Sequence, residues 1–181
     1  MRTLKGFTLI ELIVVIVILS ILAAVALPRM TNLQLDARIA KLNAARGSVA
    51  VASQMVHATL FARNGNADTT SCPADGGGPA NNASGSTGTL CTEAGIINLV
   101  NGYPAVTGYG IPGILTAAGL TMVFNPSQNE LQGEGYDYIV SGTTATFEVR
   151  GGSAPGNCSF TYTQPVPNAA PIISTIITTG C

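Results

Sequence analysis

The chain has 181 residues, a formal net charge of −1 and only 9% charged residues, alongside 21 glycines and 10 prolines. That length allows one domain with a sizeable core plus an appendage, and so charge-poor a composition suits an exported protein with long polar loops. Seven acids (Asp68, Asp75, Glu93, Glu130, Glu134, Asp137, Glu148) follow position 65 and Arg150 is the one base that does, so the head is acidic and nucleic acid is not an expected partner.

Phe7 to Leu27 is an apolar run in which Glu11 is the one charge, preceded by Arg2 and Lys5. At about 1.5 Å per residue it reaches roughly 31 Å, one hydrocarbon thickness. A secretory signal would explain the flanking bases and Ala24-Val25-Ala26 as a cleavage pattern, and a plain anchor would explain the length. Neither explains Glu11, because a carboxylate inside a spanning helix is costly and usually has a partner.

The stretch Lys5-Gly6-Phe7-Thr8-Leu9-Ile10-Glu11 resembles the processing motif of type IV prepilins and of type II secretion pseudopilins. The resemblance implies that prepilin peptidase cuts after Gly6 and methylates Phe7, and that Glu11 is the family's signature glutamate. Cleavage leaves a cationic amine four residues from Glu11. In a staggered bundle, the carboxylate of one subunit can neutralise the amine of its neighbour and fix register, since a lone charge in an apolar setting is costly. The reading implied is a homopolymer made by an inner-membrane pilus assembly machinery. The chain would sit first as a single-pass inner-membrane protein with a periplasmic head, then in an extracellular pilus.

Pro28 closes the run and is the expected helix break, since proline lacks a backbone donor and disfavours helix before it. From Thr31 to Asn64 the pattern is helical. Thr31-Asn32-Leu33-Gln34 fits the capping-box template, and Leu35, Leu42, Val49 and Val56 recur every seven residues, with Leu33, Ile39 and Leu60 widening the stripe. Gly65 is the expected C-cap. One face of this helix should meet a sheet and the other sister helices. Arg38, Lys41 and Arg46 suggest a basic stem complementary to the acidic head of a neighbouring subunit. His57 lies beside the stripe and reads as a packing histidine.

Residues 66 to 95 are dense in Gly, Ser, Asn and Pro and read as a long surface loop. Cys72, Cys91, Cys158 and Cys181 form no Cys-x-x-Cys pair, and with a single histidine a metal site is not expected. An even count behind an export-type N-terminus reads as two disulfides. Three connectivities are possible, and sequence proximity favours Cys72–Cys91 and Cys158–Cys181, each closing a loop worth roughly 3 kcal/mol. Asn82-Ala83-Ser84 and Asn157-Cys158-Ser159 match the glycosylation sequon, but modification is not expected.

Short apolar pieces at 96–100, 111–115 and 120–124 follow, with a short helix expected over 114–120. Strands are expected at 136–140 and 143–149 around a Ser141-Gly142 turn, then at 158–163 and 172–179. The organisation expected is therefore a leader at 1–6, a hydrophobic helix at 7–28, the amphipathic second half of one long helix at 29–65, and a head at 66–181. The fold class is α+β, with that helix on an antiparallel sheet of three to four strands. This plan matches type IVa pilins. "PRMTNLQLDARIAKLNAA", "LVNGYPAVTGYGI" and the closing Cys-x-x-x-Tyr-Thr…Thr-Gly-Cys resemble the mannose-sensitive haemagglutinin class among them. The resemblance implies a structural filament subunit for surface attachment, with a secretion pseudopilin as the alternative. No cofactor and no catalytic residue are expected, since neither a phosphate-binding loop nor a nucleophile elbow is present.

Overall fold

The computed structural model describes residues 7–72, 77–154 and 156–181, the side chains of residues 27–32 excepted. The chain divides into two compact units, Met1–Ala37 and Arg38–Cys181. Helix α1, Leu9–Ala62, contributes to both.

In the first unit α1 begins at a capping box formed by Thr8 and Glu11. Thr8 N–H and Oγ donate to Glu11 Oε2 at 3.0 and 2.7 Å, and Glu11 N–H returns a bond to Thr8 Oγ at 3.3 Å. The capping box expected at Thr31 does not start a helix, because α1 is already helical through that position. Likewise α1 runs through Pro28 without the break expected there. A proline inside a helix removes one backbone hydrogen bond, and the 54-residue helix continues on both sides of that gap. Leu33 and Leu35, placed in the apolar stripe, are 63% and 39% exposed.

In the second unit the stripe is real from Ile39 onward. Leu42, Ala45, Val49, Ser53, Val56 and Leu60 are all buried, at spacings of three or four, which is one helix face. Asn64 and Gly65 then take left-handed conformations and end the helix. Ser53 Oγ is the one side-chain polar atom among the described residues that is buried without a hydrogen-bond partner. Replacing Ser53 by Ala is therefore expected to be neutral or stabilising by up to about 1 kcal/mol in thermal unfolding of the full chain.

Two antiparallel sheets complete this unit. The first contains β1 (Gly88–Cys91), β2 (Ile96–Val100) and β3 (Tyr103–Pro104) in that order. β1 lies in the stretch expected to be loop. Asn81 organises it, accepting from Ala83 N–H at 3.1 Å and Thr89 N–H at 2.8 Å. β2 and β3 are joined by Asn101-Gly102, both with positive φ, the pair that a two-residue hairpin turn demands.

The second sheet has the order β4 (Tyr136–Ser141), β5 (Thr144–Val149), β6 (Ser159–Thr163), β7 (Ile172–Ile173), within the strand number expected. Two details differ from expectation. Ser141 pairs with Thr144, so the turn is Gly142-Thr143 rather than Ser141-Gly142. The last strand is two residues long, with Ile177 returning only to bridge Ser159.

Short helices α2 (Ile114–Ala118) and α3 (Gln128–Gly133) lie between the sheets in sequence. α3 opens with a capping box from Ser127 to Glu130, whose bonds hold the Glu130 carboxyl below its usual range.

The main core joins Leu42, Ala45 and Val49 of α1 to Leu131, Phe147, Phe160 and Tyr162. Phe147 and Phe160 stack at 5.1 Å, and Tyr138 meets Phe147 edge-on at 5.0 Å. Burial of each such ring contributes about 2–3 kcal/mol. A second cluster joins Val56 and Leu60 to Leu90, Ile97 and Leu99. The Tyr162 hydroxyl donates to Pro104 O at 2.9 Å and so ties the two sheets together. Burial pushes the Tyr138 and Tyr162 phenols above the ordinary tyrosine value.

Both proximal disulfides are formed, Cys72–Cys91 and Cys158–Cys181, across sequence separations of 19 and 23.

Candidate processing and assembly segment

Phe7, Thr8 and Glu11 stand at the beginning of a helix whose first turns cover nothing. Leu9–Ala26 forms an 18-residue window of mean hydropathy 3.1, none of it buried. Phe7 is 77% exposed, and Leu12, Ile16, Leu19 and Leu22 are between 52 and 61% exposed. A water-facing helix of this composition is not a stable surface, so these side chains need lipid or sister helices around them. Ser20, the other polar residue of the run, donates to Ile16 O at 2.7 Å and leaves no open donor. The Glu11 carboxylate is the single charge in the segment. Among the described residues its donors are the N–H and hydroxyl of Thr8, both to one oxygen, and it sits at the positive end of the helix dipole. Gly6, the expected cleavage residue, lies outside the described residues.

The stem cations are placed differently from the expectation of contacts between neighbours. Arg38 donates to Cys181 O at 2.6 Å, Arg46 to Ser174 O at 2.7 Å, and Arg63 to Cys91 O at 2.8 Å. Lys41 donates to Glu134 O and lies over the Tyr136 ring at 4.4 Å. Each cation thus engages a backbone carbonyl of its own head. They complement the chain's own backbone.

Other sequence-flagged residues have local duties. His57 stacks on Tyr103 at 3.8 Å and places Nδ1 2.9 Å from Gly102 O. Asn82 of the first sequon is fully buried. Its amide donates to Asn66 O at 2.6 Å and Asp68 Oδ1 at 2.8 Å, and Arg63 donates to its carbonyl oxygen at 3.3 Å. That side chain is not accessible to a modifying enzyme in the folded head. Among the described residues no group of three or more His, Cys, Asp or Glu side chains converges as a metal site. Asp137 and Glu148 are paired across β4 and β5, and there Arg150 reaches Asp137 at 3.5 Å.

Residues 1–27 match the family described as the prokaryotic N-terminal methylation motif. No curated protein and no solved structure matches the chain. The match supports a prepilin of the type IV pilin or pseudopilin kind, and the motif implies processing by prepilin peptidase and a membrane assembly machinery. The α+β architecture is consistent with the type IV pilin fold, and the bare apolar helix fits anchoring in the inner membrane.

Proposed function

We propose that this chain is the structural subunit of a type IV pilus used for surface attachment, of the type IVa kind and most like the mannose-sensitive haemagglutinin class. In this reading prepilin peptidase cuts between Gly6 and Phe7 and methylates Phe7. The head faces the periplasm until assembly carries it outside the cell. The observation that carries the proposal is the unburied helix Leu9–Ala26 with one carboxylate, Glu11, in its first turn. Two features favour an exposed fibre over a secretion pseudopilus: the pair of disulfides, and a glycine-rich segment tied down by one of them.

The test is electron microscopy of sheared surface appendages with mass spectrometry of their main component. Abundant long fibres made of this chain support the pilin reading, while a short periplasmic filament required for protein release supports the pseudopilin. The processing step has its own prediction. Gly6→Val is expected to block cleavage, because the leader must present a residue with no side chain at the cut. Intact-mass measurement should then show residues 1–6 retained and no methyl group on Phe7. A normally processed variant would remove the assignment of Gly6.

A further inference from the structure

The outer strand of the second sheet is β4, which pairs with β5 on one side only. A free strand edge presents unpaired N–H and C=O groups and is a template for pairing with another chain. That hazard is acute for a protein whose copies are packed side by side. Ile139 and Val140 of this strand are 53% and 39% exposed, so an apolar surface accompanies the open backbone.

The edge is not left bare. Tyr138 N–H points away from β5 and donates to the Tyr109 hydroxyl at 3.0 Å. In return the Tyr138 hydroxyl donates to Thr107 O at 2.9 Å. The two rings meet edge-on, 5.7 Å apart at 76°. The segment 107–109 is therefore latched along β4 by a reciprocal pair of tyrosine bonds. Because outward-facing groups alternate along an antiparallel strand, Tyr136, Tyr138 and Val140 are the residues whose backbone faces the open side. The Lys41 ammonium lies over the Tyr136 ring, and Tyr109 covers Tyr138. With the Tyr138 N–H taken, the middle of that edge offers a guest strand no free donor, and the outward N–H groups of Tyr136 and Val140 are left apart on either side of it.

We propose that the Thr107–Tyr109 segment is an edge guard, with Tyr109 occupying the pairing site on β4 and preventing the sheet from extending into the sheet of a second copy. The alternative is that Tyr109 only packs against Tyr138. The two differ in what happens to the backbone. Tyr109→Phe keeps the ring and removes the acceptor, so guarding predicts roughly tenfold faster hydrogen exchange at the Tyr138 amide with little change in stability. Tyr109→Ala clears the edge, and the full-length chain in detergent micelles should then shift in sedimentation from the parent's association state to larger assemblies.

Val140→Pro supplies the discriminating test. A proline there removes an outward donor and breaks a guest ladder, yet proline is tolerated on an edge strand. Added to Tyr109→Ala, it should return the protein to the parent's association state. The proposal is overturned if exchange at Tyr138 is unchanged in Tyr109→Phe. It is equally overturned if Tyr109→Ala does not associate, or if it associates in a way that Val140→Pro does not reverse, which is also what simple unfolding of the head would give.

Discussion

Replacing Glu11 by alanine is expected to leave the chain membrane-inserted and cleaved, while surface filaments fall by at least about tenfold. Insertion should persist because the substitution makes the segment more apolar. Cleavage should persist because the cut lies five residues upstream. Assembly should fail because the amine created on Phe7 would then enter a helix bundle with no countercharge.

The structure adds a complication that must be separated from this. Glu11 also closes the capping box with Thr8, so alanine removes a helix cap as well as a charge. Two further variants divide the roles. Thr8→Val removes the side-chain half of the cap and leaves the carboxylate, and is expected to retain most filaments. Glu11→Gln keeps an acceptor for Thr8 and loses the charge, and is expected to behave like Glu11→Ala. Counting filaments on cells with equal amounts of processed subunit would decide the matter. Normal numbers with Glu11→Gln would sink the charge-pairing argument and leave Glu11 as a cap.

How much of this was legible follows from how local each signal is. A charge inside an apolar run is visible in a window of a few residues, and so are the basic leader and Gly6-Phe7. The strands β4 to β6 were legible because period-two alternation is local too. The capping template failed for the opposite reason. Thr-x-x-Glu at Thr8 and Thr-x-x-Gln at Thr31 look alike, but a cap forms only where the preceding residues are not helical, and Thr31 sits in the middle of α1. β1 was illegible because its Gly-Thr-Leu-Cys sequence lies in loop-like surroundings; what makes it a strand is pairing with β2 and the bonds from Asn81. The partners of Arg38 and Arg46 were illegible in principle. They are backbone carbonyls, which every residue carries, so a count of acids and bases could only suggest acids.

That last point alters how the head is held. Of the five cations whose side chains are described, Arg38, Lys41 and Arg46 lie on α1 and Arg63 directly follows it, and each of these four meets a carbonyl or carboxamide of the head. Carbonyls do not titrate, so these bonds are indifferent to the protonation of carboxylates. Arg63 is the exception in also meeting an acid, Asp68, at 3.0 Å, and through it the end of α1 enters the one densely polar knot of the head.

Asn82→Ala is therefore expected to cost the head about 3 kcal/mol, the largest loss from any single polar side chain here. The side chain is fully buried, and it satisfies Asn66 O, Asp68 and Arg63, drawn from the end of α1 and the loop after it. Its backbone N–H donates to Thr89 O in β1 at 2.9 Å, so the same residue pins that strand. Removing the amide leaves buried acceptors unpaired, at about 1–3 kcal/mol. Alanine also has to adopt φ +50°, where Asn is tolerated and a Cβ without local hydrogen bonds costs about 1 kcal/mol more. Asn82→Gly separates the terms, because glycine takes that φ freely and should recover about 1 kcal/mol of the loss. Thermal unfolding of the full chain with both disulfides intact is the measurement, and a shift of roughly 10 °C is expected for alanine. Equal midpoints for the alanine and glycine variants would mean that the conformational cost is absent. A change below about 1 kcal/mol in both would mean that Arg63 and Asp68 hold the end of α1 without Asn82.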